Sequence, residues 1–299
     1  MSTQGNKIFA DFFKVTNTRG CLSDVLEHLI SLPVDRRNVD LMGLPHRLET
    51  IDRRMENDDT FYEGEFVKVR MDKLPVKASR TAGVSGIGLS EDEGIGEETA
   101  FLYSKTHDVL ILQRNRLGTT SGRVADYFNH FGKAASSFIE LSVMMNDDAL
   151  KRLEAAKSLK SLSVSIHKVK DHSAESLRGG PVEGAEDAMN DLGGDRVTLT
   201  VSLKPRRDGS LIRDKITRAV TSLLRMREND VQSVPKIQVK AEDEDGTSVI
   251  DFIRERLFCA DTIPNDKDRH LSYNARRSFL RAAWNSTGFQ KTLRATDIV

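Results

Sequence analysis

Residues 91–118 constrain the fold more than any other stretch of the chain. They open with an acidic loop, 91–98, in which five of the eight residues are carboxylates. Two continuous apolar runs follow, at 100–103 and 109–112, separated by a polar connection of five residues. Two short apolar runs joined in this way predict a β-hairpin. Continuous apolar residues are typical of strands covered on both faces, so the hairpin is predicted to lie in the centre of a sheet.

Helix and strand patterns alternate irregularly along the rest of the chain. The main helices are predicted at 22–30, 121–131, 210–224 and 273–284. Strands are predicted at 7–14, 61–71, 138–143, 162–169, 197–203 and 236–241. Two segments, 47–57 and 248–257, fit either a helix or a strand. The irregular order predicts an α+β fold with mixed or antiparallel sheets and flanking helices, rather than a doubly wound parallel sheet.

The length of 299 residues fits one large domain or two ordinary ones. We predict two α+β domains. The first, 1–135, contains the acidic loop and the hairpin, and the second, 136–299, contains a basic strand-turn-helix segment. The two cysteines, Cys21 and Cys259, lie far apart and have no zinc-site spacing. With no signal-peptide pattern and no apolar run of about 20 residues, a cytoplasmic protein is expected.

Basic residues are segregated although the formal net charge is +0. Residues 201–227 contain eight lysines and arginines against two aspartates: Lys204, Arg206, Arg207, Arg213, Lys215, Arg218, Arg225 and Arg227. A second cluster, within 269–294, includes Arg276, Arg277 and Arg281. Segregation of this kind is typical of a nucleic-acid footprint, and a basic turn before a helix suits phosphate. The alternative is that these residues are solvated helix faces.

Signals for catalysis are weak. The seven histidines are scattered, and no metalloprotease, Walker or nucleophile-elbow motif is present. An alternative function is a metal-dependent nuclease that uses Glu91, Asp92 and Glu93 of the acidic loop. Glu65 and Lys68 loosely resemble the Glu-x-Lys pattern that a nuclease has on an adjacent strand. The main expectation is a non-enzymatic protein with no catalytic residue, metal, cofactor or small-molecule substrate.

The order of several motifs resembles the RexA-like family, which is named for an exclusion protein of phage lambda. The acidic loop at 91–93, the strands at 99–103 and 109–116, and the Gly-Thr-Thr-Ser segment at 118–121 occur in the order of that family. Downstream, the segments 201–205 and 240–246 resemble its Lys-Pro-basic and Lys-Ala-acidic-Gly motifs. The resemblance covers roughly 85–285.

This resemblance implies a two-domain homodimer that binds double-stranded DNA without strong sequence preference. It also implies a role in phage exclusion or abortive infection, beside a membrane effector protein. Lys204, Arg206 and Arg207 match the family's basic segment, followed by Arg213 and Lys215. With the charge pattern, the predicted DNA contacts are Lys204, Arg206, Arg207, Arg213, Lys215, Arg218, Arg276 and Arg277. A protein-interaction scaffold that ignores DNA is a further alternative.

Overall fold

In the computed structural model, the protein divides into two compact units. The first unit comprises Met1–Ser142 and Phe258–Thr287, and the second comprises Val143–Leu257 and Gly288–Val299. Residues 5–17, 22–132, 139–145, 152–167, 183–204, 209–229, 234–243, 246–253, 256–264 and 270–296 are described. The units are not two consecutive halves of the chain, as the sequence predicted, because residues 258–287 return to the first unit.

The first unit is built on an eight-stranded antiparallel sheet. Its strands are β1 (Asn6–Asn17), β2 (Asn38–Leu41), β3 (Leu44–Glu56), β4 (Asp59–Arg70), β5 (Ile95–Ser104), β6 (Val109–Gln113), β7 (Ile139–Val143) and β12 (Phe258–Ile263). The strand order is β12-β1-β6-β5-β4-β3-β2, and β7 also pairs with β1. The predicted α+β class is confirmed.

The predicted hairpin is confirmed at the centre of this sheet. Strands β5 and β6 pair antiparallel, with Phe101 opposite Leu112 and Tyr103 opposite Leu110. Every residue of β6 is buried, as expected for a strand covered on both faces. The segment 47–57, which fitted either a helix or a strand, lies in β3.

Helices cover both faces of the first sheet. On one face, α2 (Ser121–Phe131) follows the N-cap Thr120, whose hydroxyl accepts a bond from the Arg123 N–H. Its Phe128 packs against Phe66 and Phe101, and α1 (Leu22–Ser31) lies beside it. On the other face, α5 (Tyr273–Trp284) brings Trp284 edge-on to Phe61.

Gly64 in the middle of β4 permits the close approach of the aromatic layer. A Cβ atom at this position would lie 2.6 Å from the Phe101 ring and 2.7 Å from the Thr50 carbonyl oxygen. Gly64 separates Glu63 from Glu65, whose side chains therefore share the opposite face of the strand, towards α5.

The second unit contains a four-stranded antiparallel sheet in the order β11-β10-β8-β9. These strands are β8 (Ser158–His167), β9 (Arg196–Ser202), β10 (Lys236–Asp243) and β11 (Gly246–Asp251). Helices α3 (Glu183–Leu192) and α4 (Arg213–Asn229) contribute Met189, Val220 and Leu223 to a core with Val164 and Val239 of the sheet. Burial of each large aliphatic side chain stabilises this unit by about 1.5–3 kcal/mol.

Several elements differ from the sequence interpretation or complete it. The segment 248–257, which was left open, contains the end of strand β11. Strands β2 and β12 and the last helix, α6 (Thr287–Thr296), were not predicted. Among the described residues, no helix has the length and apolar content that are needed to cross a membrane.

Candidate nucleic-acid interface

Helix α4 separates its apolar and basic residues onto two faces. Ile216, Val220 and Leu223 are buried in the core of the second unit, at the spacing of an amphipathic helix. Lys215, Arg218, Ser222 and Arg225 recur every three or four residues on the exposed side, so they form one stripe along the helix. We call this stripe the α4 basic stripe.

The described side chains of α4 carry an excess of positive charge. Of the described side chains of α4, residues 213–227, only Asp214 is acidic. Within the described part of the chain, Lys215 and Arg218 have no carboxylate at ion-pair distance. The Arg218 Nε donates to the backbone carbonyl of Asp214 at 3.3 Å, which leaves its charge uncompensated by any described carboxylate. Exposed Thr217 and Thr221 add hydroxyl groups beside the cations.

The loop before α4 is fixed at both ends to the beginning of β8. The Leu203 N–H donates to the Lys160 carbonyl at 3.0 Å, and the Leu211 N–H donates to the Leu159 carbonyl at 2.8 Å. Lys204, at the start of this loop, is exposed. The predicted contacts Arg206 and Arg207 lie outside the described residues. The loop therefore places Lys204 at the same end of the second unit as the first turn of α4.

Arg213 was predicted to contact DNA, but in the structure its side chain binds backbone carbonyl groups of the same unit. Its guanidinium donates to the carbonyl oxygens of Leu153, Glu154 and Ala156, with 2.9 Å to Glu154 and 2.5 Å to Ala156. These carbonyls lie at the end of a helical turn at 152–155, where the backbone acceptors have no intrahelical partner. The prediction for Arg213 is therefore corrected, because its donors are occupied within the protein.

Arg276 was also predicted to contact DNA, and it is instead buried in the first unit. It is 3% exposed, and its guanidinium forms ion pairs with Glu65 of β4 and, at 3.0 Å, with Glu98 of β5. A side chain in this position cannot reach a phosphate on the surface. Its role is to hold α5 against the acidic face of the sheet.

Arg277 and Arg281 are partly exposed and extend the same network to the surface. Glu63 is 1% exposed and receives two bonds from Arg281, at 2.6 and 2.5 Å. Arg54 of β3 adds a contact of 3.3 Å, and Arg277 lies 3.8 Å from Glu63 and 3.2 Å from Asp52. Arg277 is partly exposed and pairs with two carboxylates, so its predicted contact with DNA stays a prediction.

Burial and ion pairing shift the pKa of Glu65 in opposite directions. Burial raises the pKa of the Glu65 carboxyl above its ordinary value, and the charge of Arg276 opposes that rise. The hydrogen bonds that Arg281 donates to the Glu63 carboxylate raise the pKa of Arg281. The arginines of α5 are therefore internal counterions of acids on the sheet, and we call this group the α5 ion cluster: Asp52, Arg54, Glu63, Glu65, Glu98, Arg276, Arg277 and Arg281.

In the part of the chain that the structure describes, the acidic loop does not assemble a cation site with its neighbours. Asp92 accepts a bond from the Ser90 hydroxyl at 2.8 Å, and Glu93 accepts one from the Ser90 N–H at 2.9 Å. Among the described residues, no group of three or more histidines, cysteines and acids is placed to hold a metal ion. Glu65 and Lys68 are three positions apart on β4, so their side chains point to opposite faces of the strand. The nuclease-like pairing of these two residues is wrong.

One known protein family matches almost the whole chain. The model of a family of unknown function (DUF6731) matches residues 8–292. The chain belongs to this family. The match spans both compact units and includes α4 and α5, and it provides no link to the RexA-like proteins. A search of curated proteins finds no match.

The sequence analysis did not identify the acids that pair with the arginines of α5. It also did not include Arg225 among the predicted DNA contacts. One signal for the acids was present, because Glu63-Gly64-Glu65 interrupts an otherwise apolar strand with two carboxylates on one face. Carboxylates are rarely buried without a partner, so this pattern calls for cations from another element. Helical periodicity from Lys215 and Arg218 also leads directly to Arg225.

Proposed function

We propose that this protein binds double-stranded DNA without strong sequence preference, through the α4 basic stripe of its second unit. The observation that supports this proposal is the exposure of Lys215, Arg218 and Arg225 on one helix face, where Asp214 is the only acid among the described side chains of α4. Such a face attracts a polyanion even though the whole chain has no net charge. Lys204 at the same end of the unit extends the positive region.

The chemistry of the stripe favours the sugar-phosphate backbone over the bases. Lysine, arginine, serine and threonine side chains are the usual donors to phosphate oxygens. The sequence of α4 contains no aromatic residue, whereas proteins that bind single strands rely on bases stacked upon aromatic rings. From Lys215 to Arg225 the helix rises by about 15 Å, which is long enough to follow several phosphates of a duplex.

The proposal predicts a definite dependence on salt. If Lys215, Arg218 and Arg225 each neutralise one phosphate, the logarithm of affinity falls against the logarithm of salt concentration with a slope of about −2.7. Binding then weakens about 40-fold between roughly 50 and 200 mM salt. A steeper slope, near −5.4, indicates that two copies of the stripe engage the same duplex.

Charge reversal of the stripe tests the proposal. Lys215→Glu, Arg218→Glu and Arg225→Glu combined should abolish binding of an unrelated set of duplexes in fluorescence anisotropy at low salt. The matched control is Lys73→Glu, Lys77→Glu and Arg80→Glu, which makes the same change in net charge at exposed positions of the first unit. Equal binding by both variants, or no binding by the unmodified chain, overturns the proposal.

The same samples address the nuclease alternative. Plasmid DNA incubated with Mg²⁺ or Mn²⁺ should stay intact if the protein only binds. Cleavage that disappears when Glu91, Asp92 and Glu93 are all changed to alanine would replace the binding proposal with an enzymatic one. A protein that assembles normally but ignores DNA at every salt concentration would support the scaffold alternative.

The resemblance to the RexA-like family narrows the proposal further. It adds a homodimer, a membrane effector protein as partner, and a role in phage exclusion or abortive infection. These parts of the proposal rest on the order of the motifs between roughly 85 and 285. Phage plating on cells that express the chain tests them, because plaque numbers should fall with the unmodified protein and recover with the α4 charge-reversal variant.

A further inference from the structure

Strand β9 is an edge of the second sheet that lacks the usual protection. Among the described residues it pairs only with β8, in a regular register with no bulge. Soluble proteins protect exposed edges with lysine, proline, bulges, inward charges or very short strands. Strand β2 has four residues, and β12 carries Asp261 within the strand. In β9 the only charged residue is the first, Arg196.

The sequence of β9 is symmetric about its centre. Val197-Thr198-Leu199-Thr200-Val201 reads identically in both directions. Two antiparallel copies of this strand, related by a two-fold axis at Leu199, therefore match valine with valine and threonine with threonine. Isologous contacts require this kind of self-complementarity, and paired threonines or β-branched residues stabilise neighbouring antiparallel strands.

The backbone hydrogen bonds point in the direction that this pairing needs. The Leu203 N–H donates to the Lys160 carbonyl, at 3.0 Å. Because bonding direction alternates along an antiparallel strand, Val201, Leu199 and Val197 direct their backbone groups to β8. The N–H and C=O groups of Thr198 and Thr200 consequently face the open edge. With Leu199 on the axis, Thr198 of one copy exchanges hydrogen bonds with Thr200 of the other.

The side chains of β9 are also suited to a second copy. Val197 and Leu199 pack partly against the core, and Val201 remains 40% exposed. A second copy continues this apolar row and covers it.

We propose that β9 pairs with β9 of a second copy of this chain and joins the two four-stranded sheets into one continuous sheet. This interface goes beyond DNA binding and does not depend on it. Helix α4 lies on the same face of the sheet in both copies, so the pairing places two α4 basic stripes on one face of the dimer.

The first experiment measures molar mass by light scattering, without nucleic acid, over a range of protein concentrations. The unmodified chain should show twice the mass of 33.5 kDa. Thr200→Pro removes an N–H that faces the open edge, where proline is tolerated within a sheet, and should yield a folded monomer. A monomeric unmodified chain at every concentration overturns the proposal.

Thr247→Pro provides the matched control on β11, the opposite edge of the same sheet. The Phe252 N–H donates to the Ile237 carbonyl, so by alternation the Thr247 N–H also faces away from its neighbouring strand. This variant should remain a dimer. A dimer that survives Thr200→Pro but is lost with Thr247→Pro would assign the interface to β11 and overturn the proposal.

A cross-linking experiment tests the register. In a chain with its native cysteines changed to serine, Leu199→Cys places two thiols on the axis, within the Cα separation that a disulfide spans. Oxidation should give a covalent dimer. Val197→Cys faces Val201 of the other copy, and its own counterpart lies about 13 Å away along the strand, so it should remain uncrosslinked. Equal cross-linking of both variants contradicts the two-fold axis at Leu199.

Discussion

Helices α4 and α5 have similar basic sequences and opposite electrostatic environments. Lys215, Arg218 and Arg225 of α4 lie on the exposed side of that helix, away from the core of the second unit. Arg276 and Arg281 of α5 instead contact acids of the sheet in the first unit. Both helices contribute to the basic clusters seen in the sequence, yet the described basic residues of α5 are paired with acids of the sheet, whereas Lys215 and Arg218 have no described carboxylate at ion-pair distance.

The difference arises from the strands under each helix. In the first unit, α5 packs on a face that carries Glu63 and Glu65, so cations are needed to compensate buried carboxylates. In the second unit, α4 packs on an apolar face built from residues such as Val164 and Val239, which leaves its basic residues on the outer side. A basic helix therefore keeps its charge available when the sheet face beneath it is uncharged, and loses it to ion pairs when that face carries buried acids.

The largest expected effect is on the stability of the first unit. Arg276→Ala leaves Glu65 buried without its partner, and breaking such a pair costs about 3–5 kcal/mol. We expect a loss of this size in urea unfolding followed by circular dichroism. The double variant Glu65→Leu, Arg276→Met should recover most of the stability, because it removes both charges. A loss below about 1 kcal/mol for Arg276→Ala would contradict the assignment of this pair as buried.

The defect of Arg276→Ala should also depend on pH. The pKa of Glu65 is raised in the folded state above its ordinary value of 4.5. Between these two values the folded state binds more protons than the unfolded state, so the stability falls as the pH rises. Without Arg276 this interval extends to higher pH. We expect a smaller defect near about pH 5 than near about pH 8, and a constant defect would contradict burial as the cause.

A smaller effect distinguishes the two helices in DNA binding. Arg218→Gln should reduce the magnitude of the salt slope by about 0.9 and weaken binding uniformly across sequences. Arg277→Gln, which removes a charge already paired with Asp52 and Glu63, should leave the slope unchanged. Salt titrations of both variants on one duplex provide the measurement. An equal change in the two slopes would mean that α5 also contacts DNA.

Much of the fold follows from local patterns, which explains why it was predicted. The hairpin of β5 and β6 is signalled by two apolar runs and a polar turn, and α5 was predicted at the residues where it occurs. Strand β12 was missed because its six residues, interrupted by Asp261, have no clear alternation. It is defined by pairing with β1, in which Ala10 lies opposite Cys259, and no local pattern reports such a contact.

The candidate site was predictable to a similar extent. The exposure of Lys215 and Arg218 follows from helical periodicity within α4. Arg276 is unavailable to DNA because it pairs with Glu65, which is more than two hundred positions earlier in the chain. Arg213 likewise donates its hydrogen bonds to backbone carbonyls within 153–156, which are distant in sequence. Charge counts along a sequence identify basic segments, whereas packing decides which of them remain available.

The smallest expected effect concerns the exposed margin of the α5 ion cluster. His270 Nε2 lies 2.6 Å from Glu98 Oε2, the same oxygen that Arg276 contacts, but the His270 side chain is 50% exposed. Ion pairs at such positions contribute about 0–1 kcal/mol, so His270→Ala should change the free energy of unfolding by less than about 1 kcal/mol. Arg276 and His270 thus share one acceptor and differ in burial, and the ratio of their effects in the same urea titration measures how much burial contributes. Equal losses for the two variants would mean that proximity to Glu98, rather than burial, determines the strength of the cluster.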